Sequence, residues 1–106
     1  MDQPIRILVW HGSRGEGARL TGIYHEVSRA LAGAPGLLGN ELLRSTADPD
    51  RYVIMSEWTS LAAFQAWDAT PDHQLTAPLR EYRAPNGHGR PFEMFDVVER
   101  YTYPSA

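Results

Sequence analysis

The chain has 106 residues, 42% hydrophobic and 22% charged, with a formal net charge of −3 and no cysteine. This length supports one modest core, and the absence of cysteine excludes disulfides, thiolate catalysis and thiolate metal sites. All ten basic side chains are arginine and are spread along the chain, so no nucleic-acid footprint, Schiff-base lysine or phosphate-loop lysine is present.

No run approaches the ~20 apolar residues of a membrane span. Met1–Ile5 lacks the basic start and apolar core of a signal peptide. A cytoplasmic protein of one domain, residues 1–106, is therefore expected, with no nucleic-acid or membrane partner.

Ile5–His11 reads as the first strand, with Ile5, Ile7 and Val9 on one side and Leu8 and Trp10 on the other. Trp10 and His11 end it where a loop mouth should lie. Gly12, Gly15 and Gly17 follow in a connector that matches neither GxGxxG nor the phosphate loop. Ser13 and Glu16 have capping-box spacing, which predicts a helix starting between Arg14 and Ala18. Leu20, Ile23, Tyr24, Val27 and Leu31 form its apolar stripe, and Gly33, Pro35 and Gly36 end it.

Leu37–Ser45 is the second predicted strand, joined through Ala47–Asp50 to a third, Arg51–Trp58. Tyr52, Ile54 and Trp58 share one face of that strand. The period then changes at once: Thr59 or Ser60 caps a helix with Leu61, Phe64 and Trp67 at helical spacing. A strand that ends in a large aromatic and turns directly into an amphipathic helix places Trp58 at the mouth of a sheet–helix cavity. Thr70-Pro71 restarts a short helix through about Arg83. Ala84–Pro91 is a loop and Phe92–Tyr101 the last strand.

The order β-α-β-β-α-β predicts an α+β, ferredoxin-like antiparallel sheet with its helices on one face. Apolar residues occupy both sides of the first and last strands, whereas a sheet with one solvated face alternates apolar with polar. A second copy of the chain, packed sheet on sheet as a two-fold homodimer, is expected to cover the other face.

Pro35-Gly36-Leu37-Leu38-Gly39, Asp48-Pro49-Asp50-Arg51-Tyr52, Glu57-Trp58-Thr59-Ser60 with Ala63-Phe64, Thr70-Pro71-Asp72-His73 and Pro78-Leu79-Arg80 resemble, in order and spacing, the antibiotic biosynthesis monooxygenase family. The resemblance runs from Ile5 to Tyr101 and implies a dimeric α+β barrel with a pocket in each subunit. It further implies an aromatic polyketide substrate oxidised with O₂ as co-substrate and without a cofactor. Polyketide-tailoring members carry a pocket asparagine four residues before the strand-end tryptophan, where this chain has Ile54. Haem-degrading members use an asparagine, a helix tryptophan and a helix histidine. Trp67 matches the helix tryptophan, but His73 comes too early and the first strand has no asparagine, so haem cleavage is not expected.

On this reading Trp58 stacks on a planar substrate and offers an indole N–H, His73 removes a proton and Arg80 holds the resulting anion. Tyr24, Ile54, Phe64, Trp67 and Trp10 line the substrate pocket. A polyketide cyclase or isomerase, or a non-catalytic ligand-binding auxiliary protein of the same fold, would use the same pocket. The histidines at 11, 25, 73 and 88 show no HxH or HxxxH spacing, so no metal site is expected.

Overall fold

A computed structural model describes residues 3–105. The first two residues of the segment examined for a signal peptide, and the outermost residues of the expected 1–106 domain, lie outside that range. The elements are β1 (Ile5–Gly12), α1 (Gly17–Ala30), β2 (Leu37–Arg44), β3 (Arg51–Trp58), α2 (Leu61–Asp68), a 3₁₀ segment (Pro71–Tyr82) and β4 (Phe92–Asp96). The four strands form one antiparallel sheet in the order β2-β3-β1-β4, which is the expected ferredoxin-like arrangement.

Four local predictions are corrected. Ser13 does not cap α1. Its hydroxyl donates to Asp50 Oδ1 at 2.6 Å, and the Gly15 N–H donates to the same oxygen at 2.7 Å. The helix begins after Glu16 with no side-chain cap. Ser60, one of the two expected caps, starts α2 by accepting from the Ala63 N–H at 3.0 Å, but Leu61 is exposed instead of continuing the Phe64–Trp67 stripe. Pro71–Tyr82 winds as 3₁₀ rather than α; Pro78, inside it, would set its ring against the Gln74 carbonyl of an α-helical turn.

The last strand stops at Asp96 instead of Tyr101. Asp96 pairs with Ile5, the first residue of β1, and the Val97 N–H reaches back to the carbonyl of Pro4. Proline has no N–H to return, so the ladder ends there.

Pairing of β1 with β3 sets Ile5 against Trp58 and His11 against Tyr52. Side-chain alternation then puts Ile5, Ile7, Val9 and His11, with Tyr52, Ile54, Ser56 and Trp58, on the helix-covered face. The core has two buried parts. Leu20, Val27, Tyr52, Leu79 and Tyr82 form one, under α1 and the 3₁₀ segment. Ile5, Ile7 and Trp58, with Phe64 and Trp67 against them, form the other, under α2.

The opposite face carries Leu8, Trp10, Val53 and Met55, all half-buried, and Phe95 and Leu43, both exposed. It is bridged by Arg6 and Arg100 to Glu57 at 3.4 and 2.6 Å. Both faces of the sheet are therefore apolar, as expected from the sequence. No helix among the described residues is long and apolar enough to cross a membrane.

Candidate active site

A cavity of about 490 Å³ lies between the sheet and the helices, bordered by both parts of the core. This volume is in the range of small-ligand sites, about 300–1,000 Å³. Ser60 starts α2 so that Phe64 and Trp67 lean on Trp58. The Trp58 ring lies 5.4 Å from Phe64, edge to face, and 5.3 Å from Trp67. These three rings, with Ile7, Val9 and Ile54, give the cavity its apolar wall.

Trp58 is 3% exposed, and its Nε1–H donates to Ser56 Oγ at 3.1 Å. The expected free indole donor is therefore internally engaged at Trp58. It is Trp67 whose Nε1–H is buried without a partner among the described residues.

The polar lining comes from several elements. Tyr24, on α1, reaches the cavity and donates its hydroxyl to Asn40 Oδ1. His73 and Arg80 line it from the 3₁₀ segment, and Arg83 follows directly. The His73 Nδ1 lies 2.6 Å from the Thr70 carbonyl, so that nitrogen carries the proton. Its Nε2 is left as an acceptor, with the Gln74 side-chain amide at 3.4 Å.

His11 sits at the β1 end beside Arg83, to which it is joined by an isolated backbone bridge. Burial pushes the His11 pKa below the usual histidine value. A hydrogen bond from Nδ1 to the Val9 carbonyl at 3.0 Å opposes this shift, and the charge of Arg83 adds to it. Burial also lowers the Arg83 pKa, with the like charge of Arg80 contributing. Neither Arg80 nor Arg83 forms an ion pair among the described residues.

Of the sequence-selected residues, Trp58, Tyr24, Ile54, Phe64, Trp67, His73 and Arg80 come together around this cavity. Trp10 does not. It follows Val9 on β1, and strand alternation turns it to the opposite face of the sheet.

Sequence reasoning did not select Asn40, Ser56 and Arg83. Plain alternation from Leu37 would set Asn40 against Met55 on the outer face. A bulge between Leu37 and Gly39 shifts the register so that Asn40 pairs with Ser56 and faces the cavity. The exposed Leu38 is the extra residue. No group of three or more histidine, aspartate or glutamate side chains that could hold a metal ion exists among the described residues.

The fold and site define an α+β, ferredoxin-like domain with an aromatic-walled sheet–helix cavity. The antibiotic biosynthesis monooxygenase family model matches residues 8–78, and the chain belongs to that family. Protein SchA of Streptomyces halstedii is 32% identical over 69 residues, 64% of this chain but only 18% of SchA. The haem oxygenase (mycobilin-producing) of Mycobacterium tuberculosis H37Rv is 37% identical over 84 residues, 79% of this chain and 78% of that protein.

Among solved structures, SnoaB, a cofactor-independent oxygenase from Streptomyces nogalater, shares the fold with a TM-score of 0.70 at 22% identity, covering 99% of this chain and 100% of that one. The M. tuberculosis haem-degrader MhuD, with two haems bound in its active site, has a TM-score of 0.69 at 30% identity, covering 93% and 99%. The expectation of a family pocket that works without a cofactor is corrected by this similarity, because a relative alike over nearly the whole chain binds haem.

The residues present are compatible with such a group. His73, with Nδ1 anchored to a carbonyl, would offer Nε2 to the iron. Arg80 and Arg83 are suited to carboxylates, and the three aromatic rings to a planar macrocycle.

Proposed function

We propose that this protein is an oxygenase-type enzyme acting on a planar aromatic polyketide intermediate in secondary-metabolite biosynthesis. One observation carries the reading: the cavity joins an aromatic wall of Trp58, Phe64 and Trp67 to a rim bearing His73 and Arg80. The wall binds a flat apolar body through ring contacts. His73 Nε2 accepts an acidic proton from the substrate, and Arg80 holds the anion left behind. Exclusion of water by the wall keeps that anion available for oxidation.

For an anthrone the overall change is balanced: the ring methylene and O₂ give a ring carbonyl and one water. The working unit is a homodimer, because the apolar face carrying Trp10, Met55 and Phe95 needs a cover and a second copy supplies a complementary one.

The test is aerobic incubation with anthrone while anthraquinone formation is followed by absorbance. The protein should exceed the buffer rate, and His73→Ala should lose most of that excess. A wild-type rate equal to buffer would remove this substrate class. Anaerobic turnover of the same substrate would instead indicate cyclase or isomerase chemistry.

Haem degradation is a second reading, favoured by the similarity to MhuD together with the carbonyl-anchored His73. Bound haem would supply activation of O₂, with His73 holding the iron and Arg80 and Arg83 the propionates. Haem titration should then give a Soret band that shifts in His73→Ala. An unchanged band in the variant would exclude His73 as the ligand.

A further inference from the structure

Two buried polar atoms of the cavity residues have no partner among the described residues: Nε2 of His11 and Nε1 of Trp67. They are opposite in character. His11 is 2% exposed, and its Nδ1 faces the Val9 carbonyl, which can only accept. The proton is therefore on Nδ1 and Nε2 is a bare acceptor. Nε1 of Trp67 is only a donor.

The two atoms also lie toward different ends of the cavity. Trp67 packs on Trp58, which pairs with Ile5, whereas His11 is six residues further along β1. At about 3.3 Å per residue that separates the two ends of β1 by roughly 20 Å. A buried polar atom without a partner is destabilising in the empty protein, and a ligand that supplies the partner recovers the loss. Protonation of Nε2 would not resolve the problem at His11, because it would add a charge beside Arg83 and create an orphaned donor instead.

We propose that His11 is a specificity residue of the cavity: its Nε2 accepts a hydrogen bond from an acidic hydroxyl of the aromatic ligand, while Trp67 Nε1, at the far end, is beyond the reach of the same tricyclic ligand. The ligand class is a hydroxylated planar aromatic. A phenol or enol supplies the hydrogen that the His11 acceptor needs, whereas an ether or a bare ring edge does not. The proposal rests on the aromatic-ligand reading above and adds the polar pattern that such a ligand must carry.

The test uses 2-hydroxyanthraquinone, 2-methoxyanthraquinone and anthraquinone as probes, at a pH where the free hydroxyl is protonated. Binding is read by tryptophan fluorescence quenching. Wild type should bind the hydroxylated probe roughly tenfold more tightly than the methoxylated one, and folded His11→Phe should bring the two within about twofold. Trp67→Phe, at the far end of the cavity, should preserve the hydroxyl preference.

Equal wild-type affinity for the hydroxyl and methoxyl probes, or a preference that survives in His11→Phe, overturns the proposal. Should His11→Phe fail to fold, the side-chain nitrogen resonances of His11 in labelled wild type decide. Nε2 should shift with the hydroxylated probe alone, and no shift overturns the assignment. If no probe quenches fluorescence, the aromatic-ligand reading itself falls. If all three bind alike, only the role of His11 does.

Discussion

Gly36→Ala should loosen the fold and disturb the aromatic wall together, because Gly36, in the turn between α1 and β2, packs against α2. Its φ is +85°, and a Cβ placed on it would lie 2.6 Å from Ala63 Cβ and 3.1 Å from Thr59 Oγ1. The left-handed backbone alone costs an alanine about 1–2 kcal/mol. Forcing a methyl into the contact adds about 1–3 kcal/mol. Relieving it requires α2 to move on the order of 1 Å to restore ordinary carbon–carbon separation.

Gly33→Ala is the matched control. Its φ is +88° with nothing within 4 Å of the added Cβ, so it bears the backbone cost alone. At about 5 °C per kcal/mol for a domain near this size, thermal unfolding should fall roughly 10–25 °C for Gly36→Ala and about 5–10 °C for Gly33→Ala. Ala63 precedes Phe64 on α2, so tryptophan emission should change in Gly36→Ala and not in Gly33→Ala. Equal melting temperatures with identical emission would refute the argument that the Ala63 contact seats the wall.

Three other outcomes are expected. Ile54→Asn introduces the amide that the polyketide-tailoring relatives place before the tryptophan. It should raise anthrone oxidation at least several-fold while lowering stability by about 1–3 kcal/mol, and an unchanged rate would show that the amide is not what this site lacks. Asp50 is held below the usual carboxylate value, chiefly by the Ser13 hydroxyl, and Glu57 likewise, chiefly by Arg100. Because both folded values are depressed, their stabilisation is present above the unfolded pKa, near 4, and is lost as pH falls through the folded values. Urea midpoints should drop between about pH 5 and 2, less so in Asp50→Asn, and a pH-independent midpoint would contradict this. Met55→Glu, on the outer face, should convert a light-scattering mass of twice 11.9 kDa to the single-chain value; a wild-type mass already at the single-chain value would remove the dimer.

The strands and helices were legible because their periods are local properties of the chain. Ile5–Val9, the Leu20–Leu31 stripe and the switch from period two to helical spacing at Trp58 each announce themselves within ten or so residues. What the sequence misplaced depends on partners distant in the chain. Ser13 with Glu16 has the spacing of a capping box, yet Ser13 turns to Asp50, 37 residues away. Phe92–Tyr101 has strand-like composition throughout, but β1 offers partners only as far as Asp96.

The site divides in the same way. Trp58, Phe64 and Trp67 could be named from their spacing, since cap, helix period and strand end fix their relative directions. The availability of an indole N–H could not, because it depends on Ser56 lying beside Trp58 and on nothing reaching Trp67. Asn40 reaches the cavity through one bulge residue, an irregularity that pairing with β3 reveals and alternation conceals. His11 and Arg83 lie 72 positions apart in the chain and meet through a single bridge at the end of the sheet. Sequence alone thus determined the elements, the two-sided apolar sheet and the aromatic wall, all of which follow from side-chain period. Only the tertiary structure decided which polar atoms face the cavity and which are left without a partner, because hydrogen bonding is settled by neighbours in space.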